Sequence, residues 1–493
     1  MRCRHAFLAL AFAAGLTACD SPAEGEIDVA LIGSPDTVFA DGLRLAPGAQ
    51  IVRAATQSGL VALNANGDVV PDLAERWLVT DGGRTFIFRL RESDWPDGSP
   101  LTAESVADRL EATLADLKGT SLGLDLAPVE EVRAMAGRVV ELRLSEPEPY
   151  LLQLLAQPEL ALGAPGGDTG AMTLARTDGS AELALRPPGE RGLPQPEDWQ
   201  DDVRAVNLMV TDARHAIALF NDNRVQMVLG GDLGSLPLVD TGPLSTGTLR
   251  IDSTFGLFGL RVRRAKGLLG SDRVREALAM AIDRQALLAR YNIGGWVATT
   301  RPVAPGLPGD PGLVAERWAD ADIEELREEA RARIGTWQRA AAADGEPASA
   351  TLSVALPEGR GWDLLYRDLA QQWASVGVTL ERAGEAGAAD LVLVDAVARY
   401  PAPRWFLNQF ACSLRRGPCL DDADTLVAQG LAEADPAQRA VRFAEAEAQL
   451  TLANVFIPLG APLRWTLVRG GLEGYQANAY GWHPLPPLAE IPR

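Results

Sequence analysis

The sequence has very little lysine, histidine or cysteine. Among 46 basic residues only Lys118 and Lys266 are lysines, and 66 acidic residues bring the net charge to −20 over 493 residues. A chain so short of positive charge has no polyanion footprint, so nucleic acid is excluded as a partner. The lysine scarcity reads as genome composition, not function. The three histidines, His5, His215 and His483, stand far apart. A histidine-rich metal site and Ser-His-Asp chemistry therefore lack support, and a lone histidine is more often structural or solvated. Gly-x-Ser-x-Gly and His-Glu-x-x-His are both absent, and no helical carboxylate pair stands out from the surface charge. The glycine-rich stretch 163–170 lacks the Gly-Lys-Ser/Thr ending of a phosphate loop and reads as a connector. Beyond the first residues no run reaches the ~18 apolar residues of a membrane-spanning helix. What remains is ordinary: 47% hydrophobic and 23% charged residues, which excludes disorder, collagen and coiled coil for the chain as a whole. At ~100–200 residues per domain the length suggests about two to four domains or lobes.

The start does have an apolar run, from Ala6 to Leu16, after Met1-Arg2-Cys3-Arg4-His5. A basic head, a short apolar stretch and small residues before a break form a secretory signal. Its end, Leu16-Thr17-Ala18-Cys19, resembles the bacterial lipoprotein cleavage box, which implies a signal peptide over 1–18, lipidation of Cys19 and a tether over 19–26. Two or more acyl chains would hold the protein stably at a membrane. Asp20 after the cysteine implies retention at the inner membrane, on the periplasmic side of a Gram-negative cell. Of the two later cysteines, Cys412 and Cys419, an exported protein is expected to make a disulfide. Closing that loop is worth roughly 2.5 kcal/mol in the chain-entropy picture. A metal or redox pair is the rival, but the spacing suits neither.

Patterning along the chain mixes strands and helices with no short repeat. Strands are expected over 27–32, 85–90, 140–144, 351–356 and 391–394, with short apolar pieces at 60–63 and 69–70 around an Asn-Gly turn. Helices are expected from Thr102 to Leu117, over 150–156, from Asp212 to Asn221, from Ser271 to Tyr291, from Glu316 to Ala343, around 364–373, and from Asp435 to about Leu452. The class is α/β or α+β with several lobes.

Three stretches carry a family resemblance. The first runs from Gly59 to Val106 and contains Val-Val-Pro-Asp-Leu-Ala-Glu-Arg-Trp77, Thr85-Phe-Ile-Phe-Arg-Leu-Arg91 and Trp95-Pro-Asp-Gly-Ser-Pro-Leu-Thr-Ala-Glu-Ser-Val106. The second is Ser271-Asp-Arg-Val-Arg-Glu-Ala-Leu-Ala-Met-Ala-Ile-Asp-Arg284. The third includes Tyr400-Pro-Ala-Pro403 and Asn454-Val-Phe-Ile-Pro-Leu459. In this order they resemble the large solute-binding proteins of ABC importers, the oligopeptide/dipeptide-binding family (extracellular solute-binding protein family 5). The resemblance implies an α/β, two-lobed periplasmic-binding-protein fold, class II-like, cluster C, with an additional inserted domain. Lobe I would comprise 27–55, 163–250 and 463–493, the inserted domain II 56–162, and lobe III 251–462. A peptide or peptide-like ligand would be captured between lobes I and III and delivered to a permease, with energy from a partner ATPase. The protein would be a monomer with no cofactor and no catalysis.

At one place the chain departs from this pattern. Many family members read Asp-Tyr-Pro-Asp-Pro where this chain reads Arg399-Tyr400-Pro401-Ala402-Pro403, and peptide binders use that aspartate for the ligand's amino terminus. An arginine repels an ammonium group, so Arg399 suggests an acidic ligand group. Asp395, four residues earlier on a strand, would share its face and either substitute for the missing aspartate or pair with Arg399. Tyr400 is a further candidate binding residue, and Trp405 and Phe406 are the aromatics that could stack on a ligand. A lobe-surface Arg399 and core aromatics are the structural alternatives. A sensor, adhesin or chaperone on the same fold, or an exported hydrolase, are the functional ones.

Overall fold

The computed structural model describes residues 25–239, 247–308, 310–384 and 387–491. The expected signal peptide and Cys19 lie outside the described residues. Three main sheets organise the chain. The first has seven strands, in the order Leu249–Ser253, Leu463–Val468, Met227–Asp232, Glu26–Ile32, Ala205–Thr211, Ser180–Leu185 and Met172–Thr177. Its centre, Glu26–Ile32, runs parallel to both neighbours. A parallel strand is covered on both faces, which is why Val29, Ala30 and Leu31 are all buried in succession. Helix Pro47–Thr56 covers one face, and helix Ala213–Asn221 packs beside the central strands, its first turn held by the Asp212 carboxylate.

The second sheet is antiparallel, in the order Ala74–Thr80, Thr85–Leu90, Val139–Leu144, Val129–Met135. Phe86, Phe88 and Leu90 alternate inward onto helix Ala103–Asp116, as a half-buried strand requires. That helix opens in a reciprocal cap between Thr102 and Ser105. The third sheet has five strands, in the order Thr379–Arg382, Thr351–Ala355, Leu391–Val397, Gly256–Val262, Phe456–Gly460.

Two expected helices differ. The stretch from Ser271 to Tyr291 is two helices, Asp272–Met280 and Arg284–Ala289. The buried Arg284 guanidinium donates to the carbonyls of Ala279, Ile282 and Pro458, taking up oxygens at the break, while Asp283 caps the second helix. The charged helix starts only at Ile323, where Asp322 caps it. Glu316 is instead held by the hydroxyls of Thr299 and Thr300 at 2.6 Å, and Trp318 stands at φ 58°.

The chain passes between the first and third sheets as a ribbon of two antiparallel strands. Leu249–Ser253 pairs with Leu463–Val468 in the first sheet, and Gly256–Val262 pairs with Phe456–Gly460 in the third. Only Thr254-Phe255 and Ala461-Pro462 separate the two ladders, and there Thr254 Oγ1 donates to the Pro462 carbonyl at 2.7 Å. Away from the ribbon, Gly361 N donates to the Gly234 carbonyl at 2.8 Å, so helix Arg360–Ala374 abuts the loop after Met227–Asp232.

The second sheet's unit is held to the third by a buried polar cluster. Tyr400 Oη (2.9 Å) and Asn408 Nδ2 (2.6 Å) both donate to Asp125 Oδ1. Arg404 pairs with Glu148 and donates to the Leu124 carbonyl at 2.8 Å. Tyr150 stacks on Tyr400 with ring centroids 5.2 Å apart. Burial pushes the Asp125 carboxyl up to about 7, against the pull of Arg404, Asn408 and Tyr400, and its Oδ2 is buried without a partner.

A Cβ on Gly361 would lie 1.8 Å from the Leu233 carbonyl oxygen, whereas one on Gly335 meets only the tip of Arg339. Gly361→Ala should therefore cost on the order of 1–3 kcal/mol through a backbone clash, and Gly335→Ala should add roughly 0.5–1 kcal/mol through helix propensity. Urea unfolding of the two variants should show opposite signs. For Asp125 the folded pKa lies above the unfolded value of about 4, so the folded state retains a proton that the unfolded state releases. The associated stability is complete below that unfolded value and is lost as pH rises through the folded one. Asp125→Asn should flatten the decline of the urea midpoint across that window; an unchanged slope would show that Asp125 does not titrate there.

Candidate functional site

Where the ribbon crosses, it borders a cavity of about 200 Å³. One wall is the ribbon itself, from Ile251 to Phe258 and from Gly460 to Leu463; the other is the segment following helix Arg284–Ala289, with Ile293, Trp296 and Val297. That segment fits because of its glycines. Gly295 takes φ 75°, and Gly460 bridges to Ala298 at a place where a Cβ would lie 2.8 Å from the Val297 carbonyl oxygen. Trp296 Nε1 donates to the Ala461 carbonyl at 2.8 Å, and its ring lies 5.9 Å from that of Phe258.

The charged groups bordering this cavity, Asp252 and Arg301, are engaged by the protein. Asp252 takes His483 Nε2 at 2.9 Å. Arg301 grips both oxygens of Glu447 at 2.8 and 2.9 Å and reaches Asp310 at 2.9 Å. Its neighbours outweigh the burial that would lower its pKa.

Two ion pairs flank the crossing. Asp395 is the ladder partner of Phe258, and Arg464 holds its two oxygens at 2.9 and 3.0 Å, from the first sheet to the third. Arg464 also sits opposite Asp232 in its own sheet. Burial raises the Asp395 pKa and the Asp232 charge adds to this, while Arg464 opposes both. Of the two alternatives for Asp395, the pairing with Arg399 is corrected: a second arginine, 69 residues further along the chain, takes the carboxylate. Arg399 instead binds Glu159, at 2.9 and 2.8 Å, and the Gln157 side-chain oxygen at 3.1 Å. Glu159 accepts a third bond from Gln50 Nε2 at 3.0 Å. Gln50 lies on the helix covering the first sheet, Glu159 closes the segment that carries the second, and Arg399 follows a strand of the third. One carboxylate thus joins all three parts of the molecule. Burial acts to raise its pKa, but Arg399 and these hydrogen bonds leave it below the ordinary value.

The acidic-ligand reading of Arg399 meets an acid the chain already supplies. The side chain is 23% exposed, so it is neither in the core nor free. Tyr400 and Trp405 are 0% and 3% exposed, and they are core here: the Tyr400 hydroxyl is satisfied by Asp125, and Trp405 packs edge-on against Phe406. Cys412 and Cys419 are joined in a disulfide with Cα atoms 5.2 Å apart. Among the described residues no group of three or more His, Cys, Asp and Glu side chains could hold a metal ion, and no helix is long and apolar enough to cross a membrane. Reading along the chain missed Gln50, Glu159 and Arg464. Glu159 carried a usable signal, a single acid in the apolar run from Leu154 to Leu162.

Comparisons with known proteins agree with this architecture. The family model described as "Bacterial extracellular solute-binding proteins, family 5 Middle" matches residues 68–417. The periplasmic oligopeptide-binding protein OppA of Salmonella typhimurium is 23% identical over 474 residues, covering 85% of this chain and 83% of OppA. The solved Haemophilus influenzae OppA, in complex with the peptide RPPGFSPFR, superposes with a TM-score of 0.80 at 17% identity, over 95% of this chain and 99% of that one. AgaA of A. tumefaciens R10, solved with agropinic acid, gives 0.72 at 17% identity, over 95% and 99%. The fold is therefore that of a two-lobed periplasmic binding protein, and the company it keeps is of binding proteins, not enzymes. The chain belongs to the bacterial extracellular solute-binding proteins of family 5.

Proposed function

We propose that this protein is the receptor of an ABC importer and captures peptides or peptide-like solutes between its lobes for delivery to a membrane permease. The observation that carries this reading is the two-stranded ribbon joining the first and third sheets, with the Arg464–Asp395 ion pair made between those sheets. A short pair of crossings is the kind of hinge about which domains close on ligands, and the Arg399–Glu159 and Arg464–Asp395 pairs are contacts that a closed form makes across the parts. In this reading lobe I is 27–55, 163–250 and 463–493, domain II is 56–162, and lobe III is 251–462. Peptide binding is what the names of OppA and similar relatives carry over to it. Cys19 would anchor the protein by lipid to the periplasmic face of the inner membrane, where it acts as a monomer, with energy supplied by the partner ATPase.

Native mass spectrometry of protein purified from its own host should find a peptide-like mass that is released on unfolding; protein that is empty in every preparation and bound by no member of a peptide library would refute the reading. Saturation at ~100 times Kd should add about 2.7 kcal/mol to the unfolding free energy. Glu159→Gln removes one charge of a pair whose arginine is partly exposed, so its cost to folding is modest, on the order of 1–2 kcal/mol. If the pair belongs to the closed form, its main effect falls on affinity: calorimetry with the retained ligand should show a weaker Kd, and an unchanged Kd would remove the pair from closure. Cys19→Ala should move the protein from the membrane fraction to the soluble periplasmic fraction; continued membrane association would exclude a lipid anchor at that residue.

A further inference from the structure

The cavity at the ribbon differs from the rest of the junction around it. Its lining is dominated by apolar side chains, with Phe258, Trp296, Ile293, Val297, Phe456 and Leu463 among them. The acids and bases near it are paired with each other: Asp252 with His483, Arg301 with Glu447 and Asp310, Asp395 with Arg464, and Arg399 with Glu159. A charged ligand group placed here would lose water and meet no free countercharge, which disfavours it. An uncharged apolar group would lose nothing polar. Size narrows the occupant further. An apolar cavity of about 150 Å³ stays dry and takes up benzene; this one, at about 200 Å³, has room for a somewhat larger ring.

We infer that this cavity receives an uncharged apolar group, between a branched aliphatic side chain and an indole in size, so that the protein selects solutes carrying such a group and discriminates against those that present a charge there. The inference deepens the receptor reading and rests on it for the solute class, but the cavity's own preference is measurable without it. Selection would arise from dispersion contacts with Phe258 and Trp296. Position along the solute would be set by backbone groups of the ribbon and of residues 294–297, since the charged side chains at the cavity are paired with each other.

The test uses the purified protein with indole and the dipeptides Ala-Trp, Ala-Leu and Ala-Asp. Calorimetry and thermal shift should show one indole bound per chain, and Ala-Trp and Ala-Leu bound about tenfold or more tighter than Ala-Asp. Two variants alter the cavity from different sides. Val297→Asp places a carboxylate at a wall residue that is 51% exposed, and Ala461→Phe fills space from a residue that makes its hydrogen bonds through its backbone. Both should lose indole binding and the preference for the apolar dipeptides. Dipeptides bound without that preference, together with no indole binding, would overturn the cavity inference and leave the receptor reading standing. Indole bound and lost in the variants, with no dipeptide bound at all, would sustain the cavity and remove peptides as the solute class. Indole binding that persists unchanged in both variants would place it elsewhere and overturn the inference. Should a variant fail to fold, the other variant and the order of affinities in the unaltered protein decide alone.

Discussion

The whole arrangement depends on a ribbon that belongs to two sheets. Each of its strands is hydrogen-bonded into the first sheet at one end and the third at the other, with two residues of slack between. A strand in a ladder is stiff, because its backbone donors and acceptors are committed to the neighbouring strand, and each ribbon strand is an edge in one sheet and flanked on both sides in the other. A bend between the sheets is therefore cheapest at Thr254-Phe255 and Ala461-Pro462, where pairing lapses. Pro462 has no N–H to give to a ladder, and the single bond from Thr254 to its carbonyl keeps the two crossings in step.

Contacts away from the ribbon differ in kind. First and third sheets share an apolar core in which Leu233 and Leu236 lie with Trp362, close to the glycine-to-glycine contact at Gly234 and Gly361. Second and third share another, which takes in Leu122, Tyr400 and Phe406. Charge is added at the rims of these cores. Arg464 sits between Asp395 and Asp232, and Glu159 gathers Arg399 and Gln50. A buried pair contributes little net stability compared with apolar packing, but a wrong partner leaves a charge uncompensated. Such pairs are thus better at defining one relative position of the parts than at holding them there.

The parts of the fold legible in the sequence were those that depend on neighbours nearby in the chain. Thr102 announced its helix because its cap is closed by Ser105, three residues on, and Phe86, Phe88 and Leu90 announced their strand by alternation. The helix over 271–291 misled because its apolar spacing continues through a break made by Arg284, whose bonds reach the Pro458 carbonyl on a distant strand. The same reason explains the site. Arg399 was visible as a departure from a family pattern, but its partner lies 240 residues earlier, and that of Asp395 lies 69 residues later. Spacing along a strand places Asp395 and Arg399 on one face, and it cannot reveal that both are claimed from elsewhere. Tyr400 and Trp405 read as ligand contacts for want of any signal that Asp125 and Phe406 already enclose them.

If the lobes part, the surfaces they uncover have to survive in water. An interface made only of aliphatic side chains would expose a patch prone to association. In this chain the contact between the second and third sheets interleaves Tyr150 and Tyr400 with Asp125, Glu148 and Arg404. Opening would rehydrate those charges, repaying much of the attraction lost and keeping the gap between open and closed states small. A small gap is what a receptor needs, since a ligand shifts a conformational equilibrium only by its differential affinity for the two states. Burial within this contact is also what raises the pKa of Asp125, against the pull of Arg404, Asn408 and Tyr400.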